Sequence, residues 1–144
     1  MKLLVAYGSR GKLFHLEEFS SALKNEGIQV KLVKDTDYSR GFPSKKISEW
    51  FFGNQKFKKL VKEFKPDAIF VDRQSHFAIQ SIKTGVPTFI LLRGHYWQEY
   101  FWGMETMGGN IKTRMIIWLR NRIAEKVFRD ATAILPICKY LEDV

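Results

Sequence analysis

The chain has few of the residues that build cross-links and metal centres. Cys138 is the one cysteine among 144 residues. It cannot close an intrachain disulfide, so a reducing cytoplasm is its natural setting. Nothing around it resembles a thiolate-activating site, and it is expected to be a small buried apolar residue. The 3 histidines are scattered, and with the lone thiol they offer no metal-ligand spacing. Long apolar runs are absent too. The longest, 86–92, is interrupted by Pro87 and closed by Arg93, far short of a bilayer span. Lys2 is followed by a short, mostly apolar stretch before Gly8, too brief for the core of a secretory signal. Acidic side chains are scarce, 15 against 24 Lys and Arg, which leaves a net charge of +9. That excess calls for an anionic partner: nucleic acid, a membrane surface or a phosphorylated small molecule. No repeat or low-complexity segment breaks the chain, and no domain boundary is evident.

What is present fits one globular domain with a proper core: 45% hydrophobic and 27% charged residues over 144 positions. Apolar patterning predicts alternating strands and helices. Lys2–Tyr7 (KLLVAY) reads as a buried strand ending at Gly8. Residues 14–25 place Phe14, Leu16, Phe19, Ala22 and Leu23 near a helical period, and Gly27 closes that helix. Residues 28–33 form a second strand, and 35–43 a polar loop. Residues 47–64 read as helix in two pieces, broken near Gly53-Asn54. Strands at 68–71, 88–92 and 131–135, and helices at 75–83 and 111–129, complete the series. Residues 93–110 read as a long irregular stretch, and the pattern turns helical again from Lys139. Strands separated by helices need crossover connections. The expected fold is therefore α/β: a Rossmann-like, doubly wound parallel sheet flanked by helices in a single domain.

In such a sheet, ligands bind beyond the carboxyl ends of the strands. That rule selects four stretches. In "GSRGKLFH", Gly8, Gly11 and Lys12 suit a phosphate held by backbone amides at a helix start. The spacing is neither a P-loop nor G-x-G-x-x-G, and a plain strand-to-helix turn is the competing reading. Residues 34–43, which take in the polar loop, are the second stretch. In "VDRQSHF", Asp72 is a candidate base or hydroxyl acceptor, and His76 a candidate base or phosphate ligand. The plainer alternative is an Asp72–Arg73 surface pair beside a helix-capping Ser75. The fourth stretch, "RGHYWQEYFWGMETMGGN", interleaves aromatics with polar groups and glycines. It places Arg93 and His95 at a strand end. Tyr96, Trp97 and Trp102 are candidates for stacking on sugar rings or docking an apolar chain. An aromatic core under a loop is the alternative.

Two basic helices bear on the charge. In "KKISEWFFGNQKFKKLVKEFK", Phe57, Leu60, Val61 and Phe64 form one stripe, with Lys56, Lys58, Lys59, Lys62 and Lys65 mainly away from it. Upstream, Trp50, Phe51 and Phe52 are adjacent and cannot all face one core. Lysines with bulky aromatics suit an interfacial membrane helix; a helix packed on the sheet with a solvated lysine face is the alternative. Residues 111–129 are also basic. A nucleic-acid partner is not expected, because no recognition module or strand-borne stacking platform is present.

Three segments, in order, carry a resemblance. They are "MKLLVAYGSRGKLFHLEEFSSALKNEGIQVKLV", "KPDAIFVDRQSHFAIQSIKTGVPTFILLRG" and "RIAEKVFRDATAILPICKYLEDV". Together they cover most of the chain, and they resemble the N-terminal half of a two-domain GT-B glycosyltransferase of the family 4-like group. The resemblance implies an acceptor-binding half of a nucleotide-sugar-dependent transferase. The nucleotide sugar would be a substrate, with no tightly bound cofactor and no required metal. It further implies a C-terminal donor-binding domain, bearing an E-x7-E motif, as partner. Gly8, Gly11, Lys12 and Arg93 would bound the reacting site; Asp72, His76 and His95 would position or deprotonate the acceptor. Where the family commonly has His-Gly after the equivalent strand, this chain has Arg93-Gly94, with His95 next. Arg93 can stabilise phosphate charge but cannot act as a base at neutral pH. A stand-alone carbohydrate- or phosphate-binding module is the alternative. The expected location is cytoplasmic, with peripheral attachment to the inner face of a membrane and a saccharide or lipid-linked acceptor.

Overall fold

A strand buried on both faces needs apolar side chains at every position, and "LLVA" supplies them. β1 (Lys2–Tyr7) lies inside the sheet with Leu4, Val5 and Ala6 fully buried. The computed structural model describes residues 1–8, 13–41, 49 and 54–142. After β1 come α1 (Leu13–Asn25), β2 (Gln29–Lys34), the single-turn α2 (Asp35–Tyr38), α3 (Gln55–Phe64), β3 (Ala68–Val71) and α4 (His76–Ile82). Then follow β4 (Thr88–Leu92), α5 (Tyr96–Thr106), α6 (Ile111–Asp130), β5 (Ala133–Pro136) and a 3₁₀ turn at Lys139–Leu141. The five strands form one all-parallel sheet in the order β2-β1-β3-β4-β5. The expected Rossmann-like, doubly wound domain is what forms.

Successive side chains of a strand point to opposite faces. Leu4, Ala6, Ile69, Val71 and Ile90 face Phe57 and Leu60 of α3, Phe77, Ala78 and Ile79 of α4, and Val127 of α6. Leu3, Val5 and Phe70 face Leu16 of α1, with Phe89 and Leu91 packed at the margin. The Phe57 and Phe77 rings meet edge to face, centroids 4.8 Å apart. Burying each such ring contributes roughly 1.5–3 kcal/mol. This decides the reading of α3: its aromatic stripe is core, and its lysines form a solvated face. The upstream helical piece with Trp50, Phe51 and Phe52, and Lys45 and Lys46 beside it, lie outside the described residues.

Local signals end the elements as expected. Gly27 takes φ +78°, which favours glycine, and the Ile28 N–H donates to the Leu23 carbonyl at 3.0 Å. Ser75 caps α4, its Oγ accepting from the Ala78 N–H. Three expectations are corrected. The polar loop 35–43 begins with a helical turn. Cys138 is exposed rather than buried, because it follows edge strand β5 on its way into the final 3₁₀ turn. And residues 93–110 are not irregular: they hold the 11-residue helix α5. His95 starts that helix, its Nδ1 accepting from the Gln98 N–H at 3.2 Å. Tyr96 and Trp97 then pack on Phe128 of α6, with centroids at 5.4 and 6.0 Å. Tertiary packing overrides what the aromatics and glycines suggest locally.

Candidate functional site

The strand order reverses direction at β1/β3, the place where a parallel sheet opens a crevice beyond its carboxyl ends. Gly8 leaves β1 there, and Asp72 and Arg73 leave β3. The Asp72 N–H donates to the Ala6 carbonyl at 3.0 Å, tying the loop to β1. Asp72 is only 2% exposed, so it is not half of a surface pair. Arg73 instead reaches Asp35, at the start of α2. Its Nε and Nη2 both donate to Asp35 Oδ2, at 3.0 and 2.7 Å. Asp35 is itself 2% exposed, so the guanidinium is what allows a carboxylate to be buried there. A β-carbon at position 8 would overlap that guanidinium, so the glycine is needed for Arg73 to cross the end of β1. Gly11 and Lys12 lie outside the described residues.

Arg73 stands at the junction of three openings. One, about 530 Å³, lies between the ends of β3 and β4 and is lined by Asp72, Arg73, Arg93 and Tyr96. A second, about 380 Å³, places Arg73, His76 and Tyr96 opposite Arg120 and Ile123 of α6. A third, about 490 Å³, lies on the α2 side, between Asp35, Gly41 and His76. Each is large enough for a small ligand. His76 packs against Gly41, where a β-carbon would overlap its ring. Burial first, and Lys83 second, hold the His76 imidazole below its ordinary pKa. Both favour the neutral ring, which is free to accept a proton. The Tyr96 phenol is pushed up to about 12, by burial first and the Glu125 carboxylate second. At neutral pH it stays protonated and can donate to an anion.

The structure thus places Asp72, Arg93 and Tyr96 on the opening between β3 and β4 and His76 on the two adjoining ones, with Arg73 common to all three; Gly8 lies against Arg73. The other candidates are not gathered there. His95 spends Nδ1 on the helix cap and opens instead onto a separate groove with Trp102 and Glu105. Trp97 is packed against Tyr96 and Phe128. Trp102 is exposed on that separate groove. Arg93 Nε is enclosed with no hydrogen-bond partner among the described residues. Asp35, Arg73 and Arg120 are the site residues that sequence reasoning did not select. Arg73 carried a local signal, since it directly follows a strand end; Arg120 carried none, because the crossover of α6 brings it there.

Among the described residues, no three His, Cys, Asp or Glu side chains come together as metal ligands do. No helix among them is long and apolar enough to cross a membrane. No protein-family model matches the chain, and no curated protein matches it.

Proposed function

We propose that this domain is the acceptor-binding half of a nucleotide-sugar-dependent glycosyltransferase, completed by a donor-binding domain. The observation that carries the reading is the pair of adjoining openings at the carboxyl end of β3 that share Arg73 and Tyr96, one lined by Asp72 and Arg93 and the other by a neutral His76 and Arg120. An acceptor hydroxyl seated between β3 and β4 meets the Asp72 carboxylate, and one seated in the adjoining opening meets the unprotonated His76 imidazole; each group is able to orient it and take its proton. Arg73, Arg93 and Arg120 supply positive charge where a departing diphosphate develops its own. His95, committed to its cap, drops out of the base role in this reading, which falls to His76 or Asp72. The acceptor is a saccharide or a lipid-linked chain, met at the inner face of a membrane.

A transfer assay with a panel of nucleotide sugars, run on this chain alone and with an E-x7-E-bearing domain encoded in frame or beside it, tests the proposal. The chain alone folds and does not turn over. With the second domain present, transfer occurs, and His76→Gln or Asp72→Asn lowers it while leaving the melting curve in place. Turnover by the isolated chain, at the pace of the completed pair, would contradict the division of labour. A non-catalytic phosphate-binding module is the second reading. It is favoured by one observation, the two guanidinium groups, Arg73 and Arg120, lining the 380 Å³ cavity. Phosphate binding that persists with no transfer under any donor would decide for it.

A further inference from the structure

The first half of α6 is apolar on the wrong side. Asn121, Ala124 and Val127 are the buried residues of this helix and define its inward face. Ile111, Met115 and Trp118 follow the i, i+4, i+7 spacing on the roughly opposite face, and they are 87%, 55% and 49% exposed. Arg122 continues the stripe, its guanidinium 5.8 Å from the Trp118 ring centroid. Met107, in the turn between α5 and α6, is exposed as well. From residue 107 to 124 the chain carries Lys112, Arg114, Arg120 and Arg122 and no acidic residue; Glu125 is the first. The carboxylates of the packed neighbour α5, Glu99 and Glu105, line the groove with His95 and Trp102.

The placement of this stripe matters. The C-terminus of α6 lies at the amino edge of the sheet, where the Thr132 N–H donates to the Thr88 carbonyl. Arg120 and Ile123 lie level with the crevice at the carboxyl edge. Residues 111–119 therefore project about 13 Å beyond it. We propose that this projecting face, Ile111, Met115 and Trp118 framed by Lys112 and Arg114, seats on an anionic lipid surface. An apolar ridge flanked by Lys112 and Arg114, with the adjoining Glu125 carboxylate of α6 paired to Arg122 at 3.1 Å, matches the boundary between acidic headgroups and acyl chains. Seated there, the domain holds its crevice open just above the headgroups, within reach of an acceptor anchored in the same leaflet. The surface deepens the lipid-linked acceptor reading; it rests on that reading for the acceptor, not for the docking.

Co-sedimentation of the full chain with vesicles of phosphatidylcholine containing one quarter phosphatidylglycerol, against phosphatidylcholine alone, tests it at low and high salt. The chain is expected to partition onto the anionic vesicles at low salt. Ile111→Ser/Met115→Ser/Trp118→Ser is expected to lower that partition at least roughly tenfold at either salt. Lys112→Gln/Arg114→Gln is expected to remove much of the salt dependence. All five side chains are solvent-facing or framed by solvent, so a circular-dichroism melt should confirm that both variants remain folded. No partition at low salt overturns the proposal. So does partition that neither variant alters, which would locate the contact elsewhere. A dimer that the triple serine variant converts to monomer, without vesicle binding, also overturns it and assigns the stripe to a second copy. Because no nucleotide sugar enters this measurement, its failure leaves the transferase reading standing, and failed transfer with intact vesicle binding separates the two in the other direction.

Discussion

Two helices of this protein have nearly the same recipe and opposite fates. α3 reads QKFKKLVKEF, and α6 begins IKTRMIIWLR; both mix cations with bulky apolar residues. In α3 the phase is clean. Phe57 and Leu60 are buried, Val61 and Phe64 pack beside them, and the lysines are exposed. In the first half of α6 a second apolar stripe, Ile111, Met115 and Trp118, faces away from the helix's buried side between Lys112 and Arg114. A helix apolar on two faces has one more face than the core covers. Composition is thus silent on which helix meets an outside surface; the angular distribution of the apolar residues decides it.

The sharpest way to break that contrast is in the core. Phe57→Ala removes a fully enclosed ring and its partner contact with Phe77, and is expected to cost about 3–5 kcal/mol, read from denaturant unfolding. If it costs under 1, α3 is not the packed helix described. Asp35→Asn comes next. It keeps the side-chain volume but deprives Arg73 of its counter-charge, with an expected loss of about 2 kcal/mol, less than for a fully buried pair because Arg73 is partly solvated. Asn110→Ala follows, at about 1 kcal/mol. The Asn110 Oδ1 accepts from the Thr113 N–H at 2.8 Å, capping the overhanging end of α6. In α3, Asn54 makes no such cap and spends its amide on Gln80, so a cap deletion there is expected to do less to the helix itself.

A pH titration of stability gives a smaller effect. His76 has its pKa lowered in the fold, so near and below the ordinary value of 6.5 the unfolded chain binds more protons. Stability from this group is therefore full above that value and declines as the pH falls toward the folded pKa. His76→Gln should flatten that part of the profile; an unchanged slope would show that other groups cause it. The smallest change per site is expected from Ile111→Ser/Met115→Ser/Trp118→Ser, within about 0.5 kcal/mol at each, as for ordinary surface substitutions. A loss comparable to that of Phe57→Ala would mean that the stripe is core after all.

The sheet was the easiest feature to read in advance. β1, β3 and β4 are short apolar runs with sharp stops at Gly8, Asp72 and Arg93, and their residue bounds in the sequence and in the structure coincide. Strand ends then pointed to Asp72, His76 and Arg93, because a parallel sheet delivers whatever follows its strands to one edge. The helix at 96–106 was hidden. Its start rests on an imidazole cap that no simple pattern marks, and its packing depends on Phe128, far along the chain. Arg120 was hidden for the same reason: only the crossover of α6 brings it to the opening that Arg73 lines. Asp35 lay in a stretch that the strand-end rule selects, but nothing local marks it as the counter-charge of Arg73. Cys138 was misjudged because burial depends on what covers a strand's end, and the residues after β5 are turned outward.

The strand order also sets a timetable. β1 is flanked by β2 on one side and β3 on the other, and the Lys2–Asp67 bond at the β1–β3 border joins residues separated by 65 positions. At ribosomal speed, that span takes roughly three to thirteen seconds to synthesise. For that interval KLLVAY, among the most apolar stretches of the chain, has a partner along one edge only, and its other edge is open to any extended segment nearby. The nascent chain is expected to be most prone to mispairing before β3 emerges.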